Sequence, residues 1–145
     1  MTAPVPAADD VAQSDARAEA SEAEDVGARD GLRLAAKAQD LLDRGDRAGA
    51  RTGFVAAATA HRTAGRLKAA LDACYLAVAV APGDVELHLL LARLYLDRGW
   101  HTAATDKLRL LERLTELTGD QAAQDDVRRF VATLAVDPEA TAAAP

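Results

Sequence analysis

The amino-acid sequence predicts an all-α fold of about six antiparallel helices. Composition is the first ground for this. The 145 residues include 36 Ala and 19 Leu but no Ile, 10 Val and five aromatics. Ala and Leu favour helices, whereas β-branched and aromatic side chains favour strands. Periodicity is the second ground. Apolar residues recur at three- and four-residue intervals from Leu34 to Leu134, and no segment alternates as a half-buried strand would. The third is punctuation: Gly45-Asp46, Gly65, Pro82-Gly83-Asp84, Gly99 and Gly119-Asp120 stop one helix and in most cases cap the next.

Charge sets the N-terminal stretch apart from the rest. Residues 1–30 hold eight acids and two bases, which accounts for the whole net charge of −6; residues 31–145 hold fifteen of each. Beyond Ala, this stretch has only Met1, Val5, Val11 and Val26 to bury, too little to offset its ordering entropy. The expectation is an acidic disordered arm over 1–30, transiently helical around Val11 to Asp25. A helical domain over 31–137 and a disordered tail over 138–145 follow it.

Within the domain, Leu34, Ala35, Ala38, Leu41 and Leu42 mark a first helix over about 32–44, ended by Gly45. Asp46 caps a second, to about Thr63, with Ala50, Phe54, Ala57, Ala58 and His61 on one face. A third, from about Arg66 to Val80, is apolar almost all round and is expected to be buried on more than one side. Pro82-Gly83-Asp84 then supplies a stop, a turn and an N-cap. A fourth helix runs from Val85 to about Arg98. The fifth runs from about Trp100 to Leu117, with Ala104, Leu108, Leu111 and Leu114 expected inward. Val127, Phe130, Val131 and Leu134 make the sixth amphipathic over about 121–135. Short turns between six helices imply antiparallel neighbours.

Gly65 and Gly99 stand 34 residues apart. On that period Phe54, Ala57-Ala58, His61, Gly65, Ala70, Cys74, Ala77 and Pro82 align with His88, Leu91-Ala92, Tyr95, Gly99, Ala104, Leu108 and Leu111. Small residues let two helices approach, large ones fill the holes between them, and Gly permits the sharp turn. Residues 51–118 therefore resemble two tetratricopeptide repeats, a family with this period and this small–large pattern. His88 stands where Trp is usual, and Glu116 replaces the closing Pro of the second repeat. The resemblance implies a short α-α superhelix, with the helices at 32–44 and 121–135 as flanking or capping elements. Gly45 offers a second register, in which the helix at 47–63 closes an earlier hairpin; the pairing of the first three helices is open on sequence alone.

The residues of chemistry are sparse. His61 and His88 fall at core-facing positions, and His101 falls at an exposed helix start. There is no His-x3-His pair and no Cys-x2-Cys, so metal-ligand spacing is absent. Two glycines in Ala48-Gly49-Ala50-Arg51-Thr52-Gly53 are not followed by Lys-Ser/Thr, so no phosphate loop is read there. Cys74, the only cysteine, reads as a core thiol and excludes an internal disulfide. The only serines, Ser14 and Ser21, lie in the acidic arm. No nucleophile–base–orienter set is visible, so an enzyme is not expected, and no cofactor or metal is implied. A neutral domain with an acidic arm argues against nucleic-acid binding. Arg109 and Arg113, and Arg128 and Arg129, have acids nearby for i, i+4 pairing. Apolar runs such as Ala73 to Pro82 are too short to span a bilayer, and the N-terminus lacks the basic and apolar regions of a secretory signal. The expected location is cytoplasmic.

In tetratricopeptide proteins the first helices of the hairpins line a concave groove. The resemblance thus implies a groove faced by Thr52, Val55, Thr59 and Arg62 from one helix, and by Glu86, Leu89, Arg93, Leu96 and Asp97 from the next. This mix suits an amphipathic or extended peptide. The expected function is an interaction adaptor or scaffold that binds a segment of a partner protein. The alternative is a regulatory module of a signalling or transcription protein, with the arm as an electrostatic autoinhibitor.

Overall fold

The computed structural model describes residue 4 and residues 8–136, with side chains at residue 4 and residues 12–135. The expected tail at 138–145 lies outside them. The described residues form six helices and no strand: α1 (Ala8–Asp43), α2 (Arg47–Thr63), α3 (Leu67–Val80), α4 (Val85–Asp97), α5 (His101–Thr118) and α6 (Gln121–Val136). From α2 onward every boundary falls within about a residue of its expected place.

The turns explain this agreement. Gly45, Gly65 and Gly99 all have positive φ, the left-handed conformation that costs Gly least. Each closes with the same pair of backbone hydrogen bonds. At the second turn Gly65 N–H donates to the Arg62 carbonyl and Arg66 N–H to that of His61; at the third, Gly99 N–H donates to Leu96 and Trp100 N–H to Tyr95. The first turn repeats this, with Gly45 donating to Leu42 and Asp46 to Leu41. This is the glycine C-terminal motif that satisfies a helix's last carbonyls. Carboxylates begin the next helices: Asp46 accepts from Gly49 N–H, Asp84 from Glu86 N–H and Asp120 from Ala123 N–H, at 2.8–3.0 Å.

Packing is mainly sequential. Each helix lies against the next, and α4 also touches α6. Helix α2 is packed by both α1 and α3. The core is graded in size. Around α2, the aromatic Phe54 sits among Ala38, Ala50, Ala77, Val80 and Leu87. Further along, Leu71, Leu91 and Leu94 fill the space between Ala57, Ala58, Ala70, Ala73 and Cys74. The small members of the 34-residue pattern are the fully buried ones, as close helix approach requires.

Two expectations change. The first helix does not start near residue 32. It reaches back through the described part of the acidic stretch to Ala8, and residues 25–31 of that stretch lie against the body. Gly27 faces Ala64 and Ala60, and Gly31 faces the His61 ring. A contact made by glycines leaves no hydropathy signal. Within α5 the inward stripe is Ala104, Leu108, Leu111 and Thr115, while Leu114 is 48 % exposed. Thr115 enters the core because its hydroxyl donates to the Leu111 carbonyl at 2.9 Å, which removes the cost of burying it. Helix α3 packs against both α2 and α4, as expected, with Tyr75 and Leu76 left exposed.

Candidate functional site

The even-numbered helices are tied side by side through their exposed faces. From α2, Arg51 donates to Asp84 at 2.8 Å and to Glu86 at 2.7 Å, at the start of α4. One helix length away, Arg62 pairs with Asp97 at the end of α4. These two clasps hold α2 and α4 at both ends. Between α4 and α6 the join is of another kind: the Arg93 guanidinium lies 4.8 Å above the centre of the Phe130 ring. The Arg51 pKa is raised, chiefly by the hydrogen bond to Glu86 and against the opposing effect of burial.

Two hollows lie along this face. One, of about 250 Å³, sits between α2 and α4 and is lined by Arg51, Val55, Thr59, Glu86, Leu87 and Leu90. The other, of about 310 Å³, sits between α4 and α6; Leu89, Arg93, Phe130 and Thr133 are among its walls, with Glu86 shared between the two. Arg129, also on this wall, pairs with Asp126. Arg51, Arg62 and Arg129 are paired with carboxylates and Arg93 rests on the Phe130 ring, so the face offers hollows between engaged charges rather than a free cationic clamp.

Of the residues expected in the groove, Val55, Thr59, Glu86, Leu89 and Arg93 line the hollows. Arg62 and Asp97 form the clasp at one end, and Leu96, next to Asp97, is half-buried. Thr52 does not join them. It lines a separate trough between α1 and α2, because the groove-facing stripe of α2 runs through Arg51, Val55, Thr59 and Arg62, and Thr52 is turned about 100° from Arg51. Sequence reasoning missed Arg51, Leu90 and the α6 wall. The signal for the last was Phe130, the only large aromatic of an otherwise Ala- and Val-rich amphipathic helix.

No family model matches the chain, and no curated protein or solved structure matches it either.

The remaining titratable groups serve the frame of this face. The carbonyl of Pro82 can only accept, so His88 Nε2 carries the proton and donates to it at 2.7 Å. Nδ1 then accepts from the Lys107 ammonium at 3.2 Å, which ties α4 to α5. His88 is therefore a half-buried, fully bonded strut. His61 is buried as expected, but its Nδ1 has no hydrogen-bond partner among the described residues. Burial lowers its pKa, and the nearby Arg66 charge adds to the effect. His101 is half-buried rather than exposed. The Cys74 thiol is buried, faces the Leu87 carbonyl at 3.7 Å and is pushed up to about 11 by burial, which keeps it protonated and unreactive. Burial and the 2.9 Å hydroxyl contact with Tyr75 raise Tyr95 to about 12. Among the described residues no group of His, Cys, Asp and Glu is placed to hold a metal ion, and no helix is long and apolar enough to cross a membrane.

Proposed function

We propose that the chain is a short tetratricopeptide-like adaptor that docks a segment of a partner protein along the face of α2, α4 and α6, in the cytoplasm. The observation that carries this reading is the pair of apolar-walled hollows on either side of the Glu86–Leu89–Leu90 ridge, between charges that already have partners. Two further features support the family likeness: the same glycine closure recurs 34 residues apart at Gly65 and Gly99, and the small residues of that period lie in the core. Charges already held by partners cost less to strip of water than free ones do. The face therefore favours apolar anchors over a charged terminus. An amphipathic segment with an apolar side chain for each hollow suits this face.

Affinity capture with the wild-type chain and with Leu89→Glu/Arg93→Glu tests the reading. Both positions line the α4–α6 hollow and neither is fully buried. The expected outcome is a partner recovered with the wild type and lost, by at least tenfold, with the variant, while far-ultraviolet circular dichroism shows the same helix content. Equal recovery by both chains would overturn it.

A further inference from the structure

Helix α1 is held to the body by two kinds of contact. From Leu34 onward the hold is apolar: Leu34 and Ala35 pack on one core cluster, Leu41 and Leu42 on the other, and Ala38 is fully buried. Ahead of Leu34 the hold is thin. Every described side chain from residue 12 to residue 26 is exposed. The ties there are Gly27 against Ala64 and Ala60, Gly31 against the His61 ring, and an ion pair between Asp25 and Arg66 at 3.6 Å, both side chains 57 % exposed. Exposed pairs of that kind add little. A segment with so few buried apolar contacts opens at lower cost than the rest of the fold.

The tie at Gly31 rests on a titratable group. His61 is 4 % exposed. A Cβ added at Gly31 would meet its Cε1, Nδ1 and Nε2 at 2.5–2.7 Å, so the α1 backbone itself covers the ring. Nδ1 has no hydrogen-bond partner among the described residues. A neutral imidazole can leave that nitrogen as a bare acceptor. An imidazolium carries a proton on both nitrogens, and Nδ1–H then becomes a buried, charged donor with nothing to receive it. An unmet charged group costs more than an unmet neutral one. The charges around the ring offer no relief. Arg66, which precedes α3, opposes a second positive charge. On α1, Asp25 is turned to Arg66, Asp30 pairs with Arg33, and Arg29 is exposed. On α2, Arg62 pairs with Asp97, and on α3, Lys68 pairs with Asp72.

We propose that the part of α1 ending at Gly31 is an acid-responsive latch, which lies closed on α2 while the His61 ring is neutral and lifts away when the ring takes up a proton. Lifting gives the imidazolium to water, which supplies the acceptor that the closed form lacks. The released stretch keeps no tertiary contact and contains two glycines, so its helix becomes marginal. Residues 12–31 hold six acids and two bases. Opening therefore turns a fixed acidic rod into a free acidic arm, and bares Ala60, His61 and Ala64 of α2. The groove on α2, α4 and α6 takes no part, so the latch stands or falls apart from the docking reading above.

Hydrogen–deuterium exchange on the full chain tests it, with each amide rate taken relative to its intrinsic rate at the same pH. Between pH 7 and pH 5 the wild type is expected to lose protection by at least about tenfold over residues 25–31, while α4 keeps its own. The midpoint of that loss is expected to coincide with the titration of the His61 ring, followed by nitrogen-15 NMR. His61→Phe fills the seat with a ring that takes up no proton, and is expected to hold residues 25–31 equally well at both pH values. Should the Phe ring unseat α1 already at pH 7, the coincidence of the two wild-type midpoints decides. Unchanged wild-type protection over residues 25–31, a loss shared equally by α4, a midpoint apart from that of His61, or a pH-dependent loss in His61→Phe as large as in the wild type would each overturn the proposal.

Discussion

Two regions of the molecule are packed by opposite means. At the α1–α2 contact, helices meet almost backbone to backbone. A Cβ added at Gly53 would lie 2.7 Å from Ala38 Cβ, and one at Gly31 would lie 2.5 Å from the His61 ring. Around α4, by contrast, the space is filled by large side chains, with Leu87, Leu91 and Leu94 almost wholly buried. The first contact is specified by what is missing from the side chains and tolerates no growth. The second is specified by volume and tolerates no loss. A hydropathy pattern registers only the second kind.

Substitutions in opposite directions sharpen this contrast. The largest effect is expected from Leu94→Ala, which empties a fully buried site and should cost about 2–5 kcal/mol in chemical denaturation. Next comes Gly53→Ala. Intrinsic propensity alone would stabilise α2 by about 1 kcal/mol. The clash with both Ala38 Cβ and Cα should reverse that sign and leave a net loss of about 1–3 kcal/mol. Moving the methyl group across the interface, in Gly53→Ala/Ala38→Gly, is expected to restore stability to within about 1 kcal/mol of wild type, since the two helices together still hold one Gly and one Ala, in exchanged places. If the swap is as unstable as the single variant, the close approach is not what sets this contact.

The smallest effect is a pH dependence. The His61 pKa lies below its ordinary 6.5 in the folded chain. Above about pH 6.5 the residue is neutral folded or unfolded and contributes no slope. As pH falls below that value the unfolded chain takes up a proton that the buried ring resists. Stability therefore drops through this window until the folded-state pKa is passed. The measurement is a difference: the denaturation midpoint of the wild type should fall more between pH 7 and pH 5 than that of His61→Phe. Equal slopes would place the pH response outside the α1–α2 contact.

The same contrast explains how much of the fold is legible in the sequence. The ends of α2 to α6 are, because Asp46, Asp84 and Asp120 cap and Gly45, Gly65, Gly99 and Gly119 stop them through local bonds alone. The reach of α1 is not, because Gly27 and Gly31 make their contacts without a side chain and acidic residues surround them. The choice of Thr115 over Leu114 on the inner face of α5 is not either. It depends on a hydroxyl satisfied within its own helix, which no polarity scale records. For the groove, the stripes on α2 and α4 follow from period and register, apart from Thr52. The α6 wall escaped because a helix with a clean polar face reads as an end cap, while Phe130 on its other side comes to rest under Arg93.

The shared closure at Gly45, Gly65 and Gly99 has a consequence for how such a chain can vary. A joint made from one left-handed glycine and two main-chain bonds asks nothing of the side chains around it. Any helix ending in that joint can be followed by any other whose flank fits. Lengthening the array then becomes a matter of splicing at glycines, with the neighbouring units left as they are.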